Sequence, residues 1–274
     1  MMRKHIWTII IGIGLCMACL CACGGSGSDT ENAGTQEVET QAAADDSAWK
    51  AAYLDVLQAD QEAIDAYTRD DVSGKVALSD LNGDSIPELL YFVREQGQPF
   101  PYMKVWTYAD GSSRQLSYQT ALADDEYSDL PTDALYDYEV QGGTDYMVFK
   151  TNDGSLQMIS FTFGAENSTG AIRSYQMDSD TELTQTQWVG FVDEFMNSFL
   201  EQPSDLRIIY RKDGEEISED EYGEFCAACT EGMDEVIFCS RRPNEVEELK
   251  AFWDAAETRE PAGQTYDEIA QKLM

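Results

Sequence analysis

Histidine is nearly missing from this 274-residue sequence, which has one, His5. It lies in an N-terminal segment read below as cleaved, so the remaining chain has no imidazole. That excludes Ser-His-Asp and Cys-His catalysis and every zinc site that needs a histidine ligand. Basic residues are scarce as well: 18 Lys and Arg stand against 52 Asp and Glu, a net charge of −34. Such a chain repels nucleic-acid phosphates and anionic headgroups, which removes nucleic acid from the list of partners. Long apolar runs are also missing. The longest, Ile6 to about Leu20, falls short of the roughly 20 residues a spanning helix needs. Apolar residues in general are not scarce. At 43% apolar and 11% aromatic, the chain can bury a core and is not globally disordered.

Arg3 and Lys4 before that uncharged run form the n-region and h-region of a secretory signal. The run ends in Leu20-Cys21-Ala22-Cys23-Gly24-Gly25, which resembles the lipobox of bacterial lipoproteins. Leu stands third before the cysteine and a small residue stands just before it. Of the four cysteines in the segment, Cys23 fits best. Cys21 follows the bulky Leu20, Cys16 lies inside the apolar run, and Cys19 has Cys16 where an apolar residue belongs. The resemblance implies cleavage after residue 22, a diacylglycerol on the Cys23 thiol, and a chain held by a lipid anchor on the extracytoplasmic face of a bacterial membrane. Cleavage removes two basic and no acidic residues, so electrostatics oppose any closer approach to the bilayer.

Residues 23–46 follow as the lipidated cysteine and a flexible acidic tether. They contain no aromatic and one branched apolar residue, Val38, too little to offset ordering entropy. The globular body is expected over 47–274. Trp49, Tyr53, Val56, Leu57, Ile64 and Tyr67 recur at helical spacing after the candidate caps Asp45, Asp46 and Ser47. Residues 70–180 read as β-rich, with hairpin turns at Asp110-Gly111 and Asn152-Asp153-Gly154. Residues 184–274 read as mostly helical. One helical face is expected through Trp188, Phe191, Val192, Phe195 and Phe199, then a strand at Arg207–Tyr210 with a turn at Asp213-Gly214. Ser218 with Glu221 predicts a capping box, and Asn244 and Thr265 are further candidate caps. Strands first and helices later predict an α+β fold: an antiparallel meander preceded by one helix and followed by a helical C-terminal third.

One segment carries chemistry. Asp80-Leu81-Asn82-Gly83-Asp84-Ser85-Ile86-Pro87-Glu88 joins two apolar strand candidates and places oxygen-bearing side chains at loop positions one, three, five and nine. Ca²⁺ takes six to eight hard oxygen ligands. Asp80, Asn82, Asp84 and Glu88, with the carbonyl of Ile86, would supply five, and water the rest. The segment is similar to the calcium loops of FG-GAP and VCBS repeats, which also join two strands, and the resemblance implies a structural calcium ion held by those five residues. It departs from the pattern at Ser85, where Gly is preferred, and only one copy is present. Position twelve is Tyr91 rather than Glu, so an EF-hand is not expected.

The other candidates read as structural. Cys226-Ala227-Ala228-Cys229 lies within the helix capped at Ser218, not at the helix N-terminus that would activate a thiol. Cys226, Cys229 and Cys239 are expected as buried thiols, or as one disulfide from Cys239 to Cys226 or Cys229. Acidic residues crowd 124–137, a solvated loop before it is a second cation site or a glycosidase pair. Trp49, Trp188 and Trp253 fall on apolar faces and read as core. Trp106, beside Lys104 and Tyr108 on one strand face, is the best candidate for sugar stacking.

These observations predict a lipid-anchored surface protein with a non-enzymatic role in binding a protein or glycan ligand. The alternatives are a carboxylate-based hydrolase of glycans or peptides, and a solute-binding lipoprotein. The latter would require a strand–helix alternation that the sequence lacks.

Overall fold

The computed structural model describes residues 35–69, 72–97, 101–120, 135–136, 144–163, 167–194, 207–240 and 247–274. Cys23, the leader, residues 24–34 of the tether, Asn244 and, Leu135–Tyr136 aside, the acidic 124–137 segment lie outside them. Residues Ala42–Met274 form one compact unit. Of the preceding unit, Thr35–Gln41 are described, as helix. The fold is α+β, with one helix, then antiparallel sheets, then helices near the C-terminus.

Helix α1, Thr35–Asp65, opens the fold. It starts ahead of the expected caps, so Asp45, Asp46 and Ser47 lie within it, and part of the expected tether is helical. The segment Thr35–Ala44 has no apolar periodicity but is rich in Ala, Gln and Glu, which favour helix by propensity alone.

The first sheet is β1 (Val76–Ser79), β2 (Glu88–Val93), β3 (Tyr102–Ala109) and β4 (Ser112–Gln115) in that order, with β6 (Leu135–Tyr136) also on β3. The chain then changes sheets within one residue, Leu116. Strand β5 (Ser117–Thr120) pairs parallel with Glu182–Gln185 of the second sheet. That sheet is a meander of β7 (Thr144–Thr151), β8 (Leu156–Phe163), β9 (Asn167–Ser179), β10 (Glu182–Glu194), β11 (Arg207–Lys212) and β12 (Glu215–Ile217). It is completed by β13 (Met233–Cys239), which pairs with β7. Hairpin turns Asp110-Gly111 and Asp213-Gly214 take positive φ at both residues, as the twist of two-residue hairpins requires.

Strand alternation divides the side chains among three cores. On β2, Leu90 and Phe92 face the second sheet and meet Val148, Met158 and Phe238. Leu89, Tyr91 and Val93 face the other way, against Trp49, Tyr53 and Leu57 of α1 and Ile269 of α4 (Tyr266–Leu273). The far face of the second sheet, with Met147, Phe149 and Ile159, packs on α2 (Glu219–Gly232) and α3 (Glu247–Ala256). The result is four layers: helix, sheet, sheet, helix. Because β2 is covered on both faces, all six of its residues are buried.

The expected helix through Trp188 is instead strand β10, with residues 195–206 outside the described set. Trp188, Val189, Phe191 and Val192 are all buried. A central strand covered on both faces loses the alternation that marks a half-buried strand, and its continuous apolar run also satisfies helical spacing. The capping boxes Ser218–Glu221 and Thr265–Glu268 are both formed.

A seam joins the two sheets. Residues 262–264 donate to the Val236 and Ile237 carbonyls on one side and exchange hydrogen bonds with Val76 on the other, while Ser73 pairs with Cys239.

Candidate metal centre

The loop from Asp80 to Glu88 closes the β1–β2 hairpin, whose last paired residues are Ser79 and Glu88. It is wound around its own side-chain oxygens. Asp80 accepts from the Gly83 N–H at 2.7 Å and from the Ser85 N–H at 3.1 Å. The Asn82 oxygen accepts from Asp84 N–H at 2.9 Å, and Asp84 accepts from Ile86 N–H at 2.7 Å. Asp80, Asn82 and Asp84 thus each hold a backbone N–H of the loop, while the side chains of Asn82 and Asp84 stay exposed. Gly83 (φ +78°) and Ser85 (φ +75°) both adopt the left-handed conformation. Ser85 occupies the position where glycine is preferred and carries the strain of a Cβ there. Ser85→Gly is therefore expected to stabilise the protein by about 1 kcal/mol, read as a rise in urea midpoint at unchanged slope.

Glu88 is the inner anchor. It is 1% exposed, on the face of β2 that looks toward the second sheet. One carboxylate oxygen accepts from Leu81 N–H at 2.7 Å, and the other from the Thr107 hydroxyl at 3.0 Å and Asn82 Nδ2 at 3.3 Å. Burial pushes its carboxyl up to about 7, and the charges of Asp84 and Asp80 add to that, against the Leu81 and Thr107 hydrogen bonds. Asn82 Nδ2 also donates to Asp84 at 3.1 Å. Its amide group thus lies between two carboxylates, donating where a cation would attract. Ile86, the fifth predicted ligand, is half-buried and packs its side chain toward α1.

The loop is docked on the second sheet. Lys150 Nζ reaches the Asp80 carbonyl at 3.2 Å and Asp234 at 3.4 Å, and the Ser79 hydroxyl donates to Glu235 at 2.5 Å. Leu81 enters the core between the sheets. A Cβ on Gly154, in the β7–β8 turn, would lie 2.9 Å from the Leu81 carbonyl oxygen. The loop therefore covers one end of the inter-sheet core.

Among the described residues, no three His, Cys, Asp or Glu side chains are grouped so that they could hold a metal. The candidate ligands nonetheless all carry hard oxygens, and the Lys150 ammonium contacts the Asp80 carbonyl. This chemistry fits Ca²⁺ once the Asn82 amide turns its oxygen inward.

Among the described residues, no disulfide involves Cys226, Cys229 or Cys239. Cys226 and Cys229 are buried beneath α2, and burial pushes their thiols up to about 11 and about 12. That is the reverse of an activated redox pair. Of the two alternatives, buried thiols or a disulfide from Cys239, Cys226 and Cys229 take the first, and Cys239 is half-buried. From Met233, where α2 gives way to β13, Cys239 lies about 20 Å along the strand and Cys226 only about 10 Å back along the helix. The thiols therefore miss the roughly 7 Å Cα spacing that a bridge tolerates.

The sequence reading missed a buried ionic cluster beneath α1. Lys104, 7% exposed, pairs with Asp60 at 2.8 Å and Glu95 at 2.7 Å, and the Tyr91 hydroxyl donates to Asp60 at 2.6 Å. Burial alone would lower the Lys104 pKa, but its two carboxylate partners outweigh that and raise it. The available signal was a lysine between Met103 and Val105 in an apolar strand, which reads equally as an exposed strand face. No helix among the described residues is long and apolar enough to cross a membrane.

No protein family, curated protein or solved structure matches this chain.

Proposed function

We propose that the chain is a lipid-anchored extracytoplasmic protein with a non-enzymatic binding role, stiffened by a structural calcium ion in loop 80–88. The observation that supports the calcium reading is the winding of the loop: Asp80, Asn82 and Asp84, at positions one, three and five, each accept from a backbone N–H around a left-handed sixth residue. The ion would be held by Asp80, Asn82, Asp84, Glu88 and the Ile86 carbonyl, and would neutralise three neighbouring carboxylates. Because Leu81 and Glu88 enter the region between the sheets, ordering the loop would tighten the junction of the two layers rather than a single hairpin. Extracellular sites of this kind bind at about 10⁻⁴–10⁻³ M, which suits a permanent staple at extracellular calcium levels. Equilibrium dialysis of the full chain against ⁴⁵Ca²⁺ is expected to give one site in that range, lost in Asp80→Ala/Asp84→Ala.

The anchor rests on Leu20-Cys21-Ala22-Cys23 and the uncharged run before it. In a bacterial host fed labelled palmitate, the wild-type chain is expected to take up label and sediment with membranes. Cys23→Ala is expected to lose the label and to stay with its signal uncleaved. Equal labelling of both forms would refute the assignment.

A further inference from the structure

Helix α1 does not cover the whole outer face of the first sheet. Between the helix and the β3–β4 hairpin runs an open groove of about 420 Å³, within the range of small-molecule sites. Its floor is Trp106, its helix wall includes Asp55, Ala59 and Asp60, and its far wall is Ser112 and Ser113. Trp106 is half-buried, and its indole nitrogen is itself buried, on the side of Tyr91 rather than in the groove. What it offers the groove is therefore apolar ring surface. Asp60 is held rigidly, with one oxygen, Oδ2, accepting from both the Tyr91 hydroxyl at 2.6 Å and Lys104 Nζ at 2.8 Å. Its other oxygen, Oδ1, takes no hydrogen bond from the described residues. The side chain retains 21% exposure, so Oδ1 is a fixed acceptor on the groove side.

An aromatic floor, an immobilised carboxylate oxygen and two hydroxyls opposite match a ring that is apolar on its face and hydroxylated at its rim. Such a ring stacks its C–H face on indole carbon and donates from its rim to a carboxylate. A cationic ligand is matched less well. The Lys104 ammonium, shared by Asp60 and Glu95, already stands directly behind Asp60 and repels a second cation there, and the remaining wall carboxylate, Asp55, is exposed and screened. We propose that this groove binds a pyranose unit of a glycan, stacked on Trp106 and hydrogen-bonded to Asp60. The proposal deepens the binding role given above and is independent of the calcium loop. Its failure leaves the dialysis result untouched, and the converse also holds.

The test is a titration of the ¹⁵N-labelled full chain with cellotriose and, separately, triacetylchitotriose, in EDTA and again in Ca²⁺, following the Trp106 indole N–H resonance. A saturable shift with a Kd of about 1 mM or tighter is expected for at least one sugar. Asp60→Asn is expected to weaken it about tenfold or more. Ala59→Trp, at an exposed helix position, fills the groove and is expected to abolish binding with an unchanged melt. Three outcomes would overturn the proposal. One is no saturable response to either sugar up to about 20 mM. Another is a response that Ala59→Trp leaves intact. The last is a stronger response to tetramethylammonium than to either sugar.

Discussion

Gly74→Ala is expected to remove about 4 kcal/mol or more of stability, enough to lower the urea midpoint by a large fraction in a domain of ordinary stability. Gly74 has φ +70°, and a Cβ there would lie 2.2 Å from both the Gln264 nitrogen and the Gly263 carbonyl carbon. Those are backbone atoms of the seam that joins the sheets, so no side chain can rotate aside. Gly111→Ala provides the control. Its φ is +80°, but nothing lies within 4 Å of the added Cβ, so only the backbone strain is incurred, about 1–2 kcal/mol. The difference between the two variants measures what the close approach at the seam contributes. Equal losses would show that the seam is not a tight contact.

Glu88 should impose a pH dependence of opposite sign to that of a salt-bridged acid. Its carboxyl is raised to about 7 by burial, whereas in the unfolded chain it titrates near its ordinary value of about 4.3. Between those values the folded chain retains a proton that the unfolded chain has released. Without calcium, the stability tied to this group is therefore greatest below about pH 4.3. It falls as pH rises through about 7, by about 4 kcal/mol in total. Glu88→Gln cannot titrate and removes that slope. Its amide oxygen can still accept from the Leu81 N–H, but its NH2 then meets the Asn82 amide donor, at a cost of about 1–3 kcal/mol. Urea titrations of both proteins in EDTA at pH 5, 6, 7 and 8 test this: the wild-type advantage should shrink as pH rises. An advantage that grows with pH would mean that Glu88 is ionised and well solvated.

Local chemistry made much of the fold readable. The face from Trp49 to Ile64 on α1, the Asp-Gly hairpins and both capping boxes depend on residues close in sequence and are present in the structure, while Tyr67 lies past the end of α1 and packs between the sheets. What could not be read was set by tertiary coverage. Trp188, Phe191 and Val192 fit a helical face because β10 is buried on both sides, and burial on both sides removes strand periodicity. Nor does the local sequence reveal that Gln115-Leu116-Ser117 crosses between sheets, or that β13 returns to pair with β7.

At the candidate centre, the local winding of the loop was legible, since Asp80, Asn82 and Asp84 each accept from a backbone N–H within a few residues. The role of Glu88 was only partly visible. Its position nine was evident, but its burial depends on Thr107 and on the second sheet. The same limit applies to Asp60, Tyr91 and Lys104, which lie far apart in sequence and meet only because α1 lies across the first sheet.

The central claim is that a cation in loop 80–88 stabilises the whole body, and a thermal melt of the full chain in EDTA and in about 5 mM Ca²⁺ tests it most directly. At a Kd of a few tenths of a millimolar, mass action gives about 1–2 kcal/mol, a rise in Tm of roughly 4 °C for a domain of this size. The account predicts that rise in the wild-type chain and its loss in Asp80→Ala/Asp84→Ala. Identical wild-type melts with and without calcium, or a rise that the double variant keeps, would contradict it.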